Sequence, residues 1–541
     1  MNNNRPTDDR DGGSNHDLQH GSNHDVHEMP KPALILLLAA AALAAAAAAA
    51  AAKKKKVSGE CSPGSYWHDR GSYDCAPTDK SCDGPKPADA CCCPCAAGFY
   101  CPGDSESRYA EEPCDPGSTS PAGASSFAQC TGPEPVISQV HVAYTGVAGQ
   151  LSVDFVSSQP GEAAAFTSLD GVAWTAAPAS TFFFPEVGYM SQALLSWSGP
   201  ALAPGQVVHY FVGVPSVSNS TVFSVTPVVS GPESFVVYGD FGAANDRCMA
   251  SLIADARSGA FDTVLHVGDW AYDFETANST VGSVFMQLVS GYAATHPMMP
   301  TEGNHESCPQ CPAVPVVPNS AKNFSHYNAR MWSIASVGAA KTSGTGTPRY
   351  YSFNQGLGHF LVYTAEAYAY NSGVDFIKNQ IEFMKKDLAA VDRAVTPWVV
   401  GLAHKTFAME PEAYADFNAI LEDGKVDLIF SGHVHYYNRG FSYSNATGHV
   451  DTACASADRS VYTDCTHPIT VVTGAPGDRE DTSRYVPGED AWSATGSSNY
   501  GYGFLTLTDA THARWTWKTV SAAGTGPANF TDSLTIVKTK A

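Results

Sequence analysis

Short alternating runs of apolar and polar residues fill positions 136–230, among them Gln150-Leu-Ser-Val-Asp-Phe155 and Val207-Val-His-Tyr-Phe-Val212. Gly, Pro and Ser clusters separate them at intervals that suit a small all-β sandwich. From Ser234 onward the pattern changes. Solid apolar runs at Phe235–Tyr238, Thr263–Val267, Pro397–Leu402 and Val426–Phe430 read as buried strands. Between them lie segments of helical period. Asp246–Gly259 is one, and Val374–Val391 is the clearest, with Phe376, Ile377, Ile381, Phe383, Met384 and Leu388 set among Lys, Glu and Asp. Strands alternating with helices predict an α/β domain.

The N-terminal quarter follows neither pattern. Residues 1–32 are polar and rich in Asn, Asp and His, a composition that does not fold alone. Residues 33–52 form an uncharged run long enough to span a bilayer. Only Leu34, Ile35, Leu36, Leu37, Leu38 and Leu43 are strongly apolar, so insertion is marginal. Lys53–Lys56 would hold that flank in the cytosol. The run therefore reads as a cleaved targeting segment, an anchor with a contrary charge pattern, or an alanine helix with no membrane role. The next segment carries 10 of the 15 cysteines, from Cys61 to Cys130, a density typical of disulfide-stapled modules in oxidising compartments. A zinc ribbon through Cys92, Cys93 and Cys95 would need paired CxxC knuckles that the segment lacks. Its Cys95-Ala-Ala-Gly-Phe-Tyr-Cys101-Pro-Gly and Cys114-Asp-Pro-Gly runs resemble the Cys-rich repeats of ephrin-receptor-like ectodomains. Sequons at Asn219, Asn278, Asn323, Asn445 and Asn529 fit the same extracellular or cell-surface compartment and predict N-glycans. The expected organisation is thus a polar tail (1–32), an Ala-rich signal or anchor (33–52), a disulfide module (57–132), a β-sandwich (133–232) and a catalytic α/β domain (233–541). A net charge of −22 without a basic stripe excludes nucleic acid as a partner.

Chemistry concentrates between Asp240 and His435. In order come Asp240-Phe-Gly242, Gly268-Asp269-Trp-Ala-Tyr272, Gly303-Asn304-His305-Glu306, His404 and Gly432-His433-Val-His435. Most follow one of the apolar runs, which puts them in loops at strand C-termini, where α/β sheets gather functional residues. Carboxylate and phenolate oxygens suit Fe(III), and imidazole and carbonyl donors suit a divalent ion. Singly, each residue has a plainer reading: Asp240 and Asp269 as turn formers, Asn304 as a loop cap, His433 and His435 as core histidines. The ordered set resembles the purple acid phosphatase branch of the calcineurin-like metallophosphoesterases over roughly residues 133–520. Tyr272 is the discriminating position. Tyr350-Tyr-Ser-Phe353 to His359-Phe360, Gly474-Ala-Pro-Gly477 with Arg479-Glu480, and Tyr500–Phe504 to Ala513–Trp517 extend the match.

That resemblance implies a four-layer β-sandwich flanked by helices, preceded by a fibronectin-III-like domain that acts as a spacer, with Pro204-Gly205 as its turn. It implies a binuclear centre of Fe(III) and a divalent Zn, Mn or Fe. Asp240, Tyr272 and His435 would hold the first ion, Asp269 would bridge, and Asn304, His404 and His433 would hold the second. The chemistry implied is acid hydrolysis of small phosphomonoesters by a metal-bound hydroxide, with Asp269 and His305 as catalytic residues. A phosphodiesterase or nucleotide pyrophosphatase, and a non-enzymatic surface receptor with a degenerate phosphatase domain, are the alternatives. One departure from the family pattern stands at Gly401-Leu-Ala-His404-Lys-Thr-Phe, where Lys405 and Thr406 take the place of a further histidine. Lys405 is read either as a phosphate contact or as a solvated lysine. Cys308–Cys311 and Cys454–Cys465 are expected loop staples, Cys248 has no evident partner, His296 and His359 are structural, and His326 has no assigned role.

Overall fold

The computed structural model describes residues 136–197, 201–311, 322–370, 372–405, 415–521 and 529–539, and upstream of them only four short strands. Residues 1–32, the 33–52 run and nearly all of the Cys-rich module therefore lie outside the described residues, as does Thr406. Among the described residues no helix is long and apolar enough to cross a membrane.

Alternation along residues 137–225 produces two antiparallel sheets. One orders Ile137–Tyr144, Leu151–Ser157, Gly188–Leu195 and Ser180–Phe184; the other centres on Val208–Val214 and Ala164–Ser168. Their inward side chains, including Val142, Leu151, Val153, Tyr210 and Val212, are fully buried in the shared core. The Pro204-Gly205 turn forms as expected, with Gly205 at φ 75° and Gln206 donating to the Ala203 carbonyl at 3.1 Å.

Beyond Glu233 two large mixed sheets face each other. In the first, Met298–Thr301, Thr263–Val267 and Glu233–Tyr238 run parallel, and Tyr500–Leu507 joins antiparallel. In the second, Gly358–Val362, Trp398–Leu402, Leu428–Ser431 and Ile469–Thr473 run parallel. Strand period decides what each residue buries. Phe360, Val400 and Phe430 point between the sheets, where Phe360 meets Phe235 (ring centroids 4.8 Å apart) and Phe430 meets Trp515 (4.9 Å). Leu361, Val399 and Ile429 point outward against Met384, Leu388, Phe417 and Leu421 of the helices Val374–Ala389 and Ala415–Asp423. Helices Met249–Ser258 and Thr280–Ala293 supply Leu252, Phe285 and Met286 to the buried core. The result is the expected helix–sheet–sheet–helix layering.

Boundaries shift by a few residues. The first helix starts at Met249, not Asp246, because residues 243–248 remain in the loop after Asp240, and Gly259 closes it in a left-handed conformation. The long helix stops at Ala389, and the fourth strand runs Leu428–Ser431. Met298–Thr301 and Ile469–Thr473 are among the strands that lie outside the predicted runs, and Met-Met-Pro-Thr carries a proline and little β-branched character. Cys308–Cys311 and Cys454–Cys465 are bonded, and Cys248 is a free, buried thiol.

A fully buried ion pair lies behind the third metal-type loop. Arg349 donates from Nε and Nη2 to the two oxygens of Glu302 at 2.6 and 2.7 Å, and its guanidinium is stacked against Phe324 and Phe376. Thr364 adds its hydroxyl to Glu302 at 2.5 Å. Removing one partner strands the other charge in the core, so Arg349→Met should cost about 3–5 kcal/mol. Chemical denaturation at neutral pH checks this. A loss below about 1 kcal/mol would mean that Glu302 is satisfied without Arg349.

Candidate metal centre

Five parallel strands from the two sheets end at one edge, and each delivers a loop there. Tyr238 leads to Asp240, Val267 to Asp269, Thr301 to Asn304, Leu402 to His404, and Ser431 to His433 and His435. The structure brings all seven expected ligand residues together. Asp269, His404 and His433 offer ligand atoms within 4.8 Å of one another. His404 Nε2 lies 3.0 Å from Asp269 Oδ2 and 3.2 Å from Asn304 Oδ1. On the other side the Tyr272 hydroxyl is 2.8 Å from His435 Nε2 and 3.3 Å from Asp240 Oδ1. The backbone N–H of His433 donates to Asp240, which joins the two halves.

Backbone geometry here is unusual. Asp240, Asp269, Tyr272 and His433 have φ of 61°, 54°, 49° and 69°. A non-glycine residue in the left-handed region costs on the order of 1 kcal/mol or more, and such residues gather at functional sites. The glycines before the ligands leave no room for a side chain. A Cβ on Gly303 would collide with the Asp269 carboxylate, and one on Gly432 with that of Asp240.

The imidazoles are aimed by what their far nitrogens hold. His404 Nδ1 bonds the Val267 carbonyl at 2.9 Å, and His435 Nδ1 bonds that of Asp481 at 2.8 Å. A carbonyl accepts only from N–H, so once the ring is neutral its proton stays on Nδ1 and the Nε2 lone pair is aimed into the site, the orientation a metal ligand needs. Burial by itself would lower the pKa of His404, but Asp269 and Asp240 push it up to about 10. Burial likewise opposes protonation of His435, which Asp240 and Asp478 push up to about 10. His433 goes the other way, down to about 4, through burial and the nearby His404. Burial, followed by Asp240 and Asp269, holds the Tyr272 phenol well above its usual range. Two protons thus sit where the buried negative charge asks for cations. Carboxylate, imidazole and amide donors in this arrangement fit a metal site.

His305 lies at the rim. Its N–H donates to Asp269 Oδ1 at 2.9 Å, its ring packs against Tyr272 at 4.3 Å, and its Nδ1 meets Asp273 Oδ1 at 2.6 Å. Glu480 approaches Nε2 at 3.5 Å, and Arg479 holds Asp273 from behind at 2.9 Å. Against burial, Asp273 and Asp269 raise its pKa.

Lys405 corrects an expectation. It is not a solvated lysine: only 7% exposed, it places Nζ 3.4 Å from Glu366 Oε2, a buried carboxyl that burial pushes up to about 7. His359 pairs with Asp387 at 2.9 Å, and His296 bonds Thr295, consistent with structural roles. His326 is buried with its ring edge on Phe184, and burial drives its pKa down to about 3. Sequence reading missed Glu306. Its carboxylate accepts the N–H groups of Asp269 (3.0 Å), Trp270 (2.7 Å) and Gly303 (2.7 Å), tying two ligand loops together. The only signal was its place in the Gly303-Asn-His-Glu306 run.

Residues 234–437 match the calcineurin-like phosphoesterase family, and residues 467–526 match the iron/zinc purple acid phosphatase-like protein C family. Acid phosphatase type 7 of Mus musculus is 28% identical over 412 residues, covering 69% of this chain and 85% of its own. Probable purple acid phosphatase 20 of Arabidopsis thaliana is 28% identical over 332 residues, covering 59% and 69%. Among solved structures, a purple acid phosphatase from yellow lupin (Lupinus luteus) seeds superposes with a TM-score of 0.59 at 20% identity, covering 74% of each chain, a likeness of fold.

Glu306→Gln should expose what that residue holds. An amide nitrogen cannot accept, so at least one buried N–H loses its partner at a cost of about 1–3 kcal/mol. Metal retained after purification, measured by elemental analysis, should fall with it. Full metal content and an unchanged melting temperature would leave Glu306 with no role in the loops.

Proposed function

We propose that this chain, which carries a calcineurin-like phosphoesterase domain and a purple acid phosphatase-type C-terminal segment, is an acid phosphatase acting on small phosphomonoesters through an Fe(III)–M(II) pair. The observation that carries the reading is Tyr272, whose hydroxyl faces His435 and Asp240 on the opposite side of the cluster from His404, His433 and Asn304. Asp240, Tyr272 and His435 would hold the ferric ion, and Asn304, His404 and His433 the divalent Zn, Mn or Fe. Asp269, whose Oδ2 lies 3.0 Å from His404 Nε2, would be shared between the two ions. Two such ions neutralise phosphate charge and activate water in acid.

The protein's own groups do the rest. Tyr272, Asp240 and Asp269 would supply negative charge at the first position, while Asn304, His404 and His433, being neutral donors, would leave the second electrophilic. His305, with Asp273 fixing Nδ1, would present Nε2 to the leaving oxygen and deliver a proton there. Lys405 is held 3.4 Å from Glu366, and its charge is felt at His433. A degenerate, non-enzymatic domain would have no reason to keep four ligands in strained conformations. The fibronectin-III-like reading of residues 133–232 stands on their two-sheet form. A secretory route is supported by the two disulfides and by exposed sequons at Asn219, Asn278 and Asn529. Asn323 suits a glycan less well, because its amide nitrogen donates to the Tyr370 carbonyl at 2.6 Å.

Colour and turnover separate the parts of this reading. The iron-loaded, oxidised protein should show a visible phenolate-to-iron band that Tyr272→Phe abolishes while sparing much of the monoesterase activity. No band in the wild type would leave a generic metallophosphoesterase, and faster hydrolysis of diesters than monoesters would favour the phosphodiesterase alternative. His305→Ala should lower kcat about 10²–10⁴-fold for alkyl phosphates and far less for aryl phosphates with good leaving groups. An equal loss for both classes would remove His305 as the general acid.

A further inference from the structure

Helix Thr280–Ala293 follows the loop that bears Asp269 and Tyr272, and the β-sandwich grips it along its whole length. At the start, the Ser279 hydroxyl reaches Glu186 Oε2 at 3.4 Å. Midway, the Gln139 N–H donates to Gln287 Oε1 at 2.9 Å. Just past the end, the Tyr210 hydroxyl donates to the Ala294 carbonyl at 2.5 Å.

A fourth contact reaches the loop itself. Gln139 Oε1 accepts from Arg330 Nη1, and the Arg330 guanidinium lies over the Phe274 ring, 5.0 Å from its centroid. Arg330 Nη2 also approaches Ser283 Oγ at 3.5 Å. Gly282 makes this convergence possible: a Cβ there would stand 2.5 Å from the Phe274 carbonyl oxygen and 3.0 Å from Arg330 Nη2. Phe274 is buried and lies two residues beyond Tyr272.

Generic packing explains neither polar residue. Gln139 takes φ 55° at a bulge between Ser138 and His141, which turns its side chain out of the ladder's regular alternation. Arg330 is 1% exposed, its Nε has no hydrogen-bond partner, and among the described residues no carboxylate pairs with it. A buried guanidinium is costly, and a methionine of similar length would fill the space without that cost. What the guanidinium adds is a flat cation that can hold an amide at one edge and an aromatic face beneath.

We infer that the β-sandwich is a brace for the ligand loop, with Gln139 and Arg330 as positioning residues that act on Asp269 and Tyr272 through Phe274 and helix Thr280–Ala293. The brace itself is independent of the phosphatase reading. Only its consequence for metal binding and turnover rests on that reading.

Hydrogen exchange on the full-length, metal-free protein tests it. In Gln139→Ala and Arg330→Met, peptides covering 269–279 should exchange about tenfold faster, while those covering 398–404 and 428–435 keep their rates. The double variant should be no faster than Arg330→Met, since both residues work through one contact. Leu421→Ala, a core truncation in helix Ala415–Asp423 away from the sandwich, is the stability control and should leave 269–279 unchanged. Unchanged exchange in 269–279, an equal rise in all three regions, or the same local rise in the control would each overturn the brace. Inactivity of the wild type toward phosphomonoesters would sink the phosphatase reading and leave the exchange result standing.

Discussion

Three backbone N–H groups aimed at one buried carboxylate, that of Glu306, hold this site in shape. They come from two loops on neighbouring strands, and the first of these carries Asp269 and Tyr272 in conformations that an isolated chain would leave. A second buried carboxylate, Glu302, is fixed four residues earlier by Arg349 and Thr364. The Gly303–His305 segment is therefore clamped at both ends by buried carboxyl groups, of which burial and Asp269 push the Glu306 pKa up. Such groups are strict about geometry, because any displacement leaves a buried polar partner unpaired.

Much of this was legible in the sequence, for a reason that can be stated. A strand buried on both faces shows as a solid apolar run, and a ligand loop at its end shows as Gly-Asp, Gly-Asn or Gly-His, since the crowding that brings side chains onto one ion admits only glycine beside them. Four of the five site strands were found that way. Met298–Thr301 was not, because Met298 and Met299 are held by their neighbours and not by any local preference.

Roles that depend on distant partners left no such trace. Lys405 looks like a surface lysine until Glu366 stands beside it. Glu306 looks like the tail of a motif until three N–H groups are seen to converge on it. The sandwich looked like a spacer because Gln139, Glu186 and Tyr210 carry no pattern. Their meaning comes from Gln287, Ser279 and Ala294, far along the chain. Local preference records the fold of an element, and only the packed structure records what the element is braced against.

The first sheet also sets an order of events during synthesis. Its central strand, Tyr500–Leu507, lies between Glu233–Tyr238 and His512–Ser521 and comes from near the end of the chain. Until that strand leaves the ribosome, Glu233–Tyr238 presents an open hydrogen-bonding edge beside the Asp240 loop. All the residues that could take up metal are by then already made. A chain stalled before Tyr500 therefore keeps that edge open for longer than a protein whose sheet is completed in sequence order.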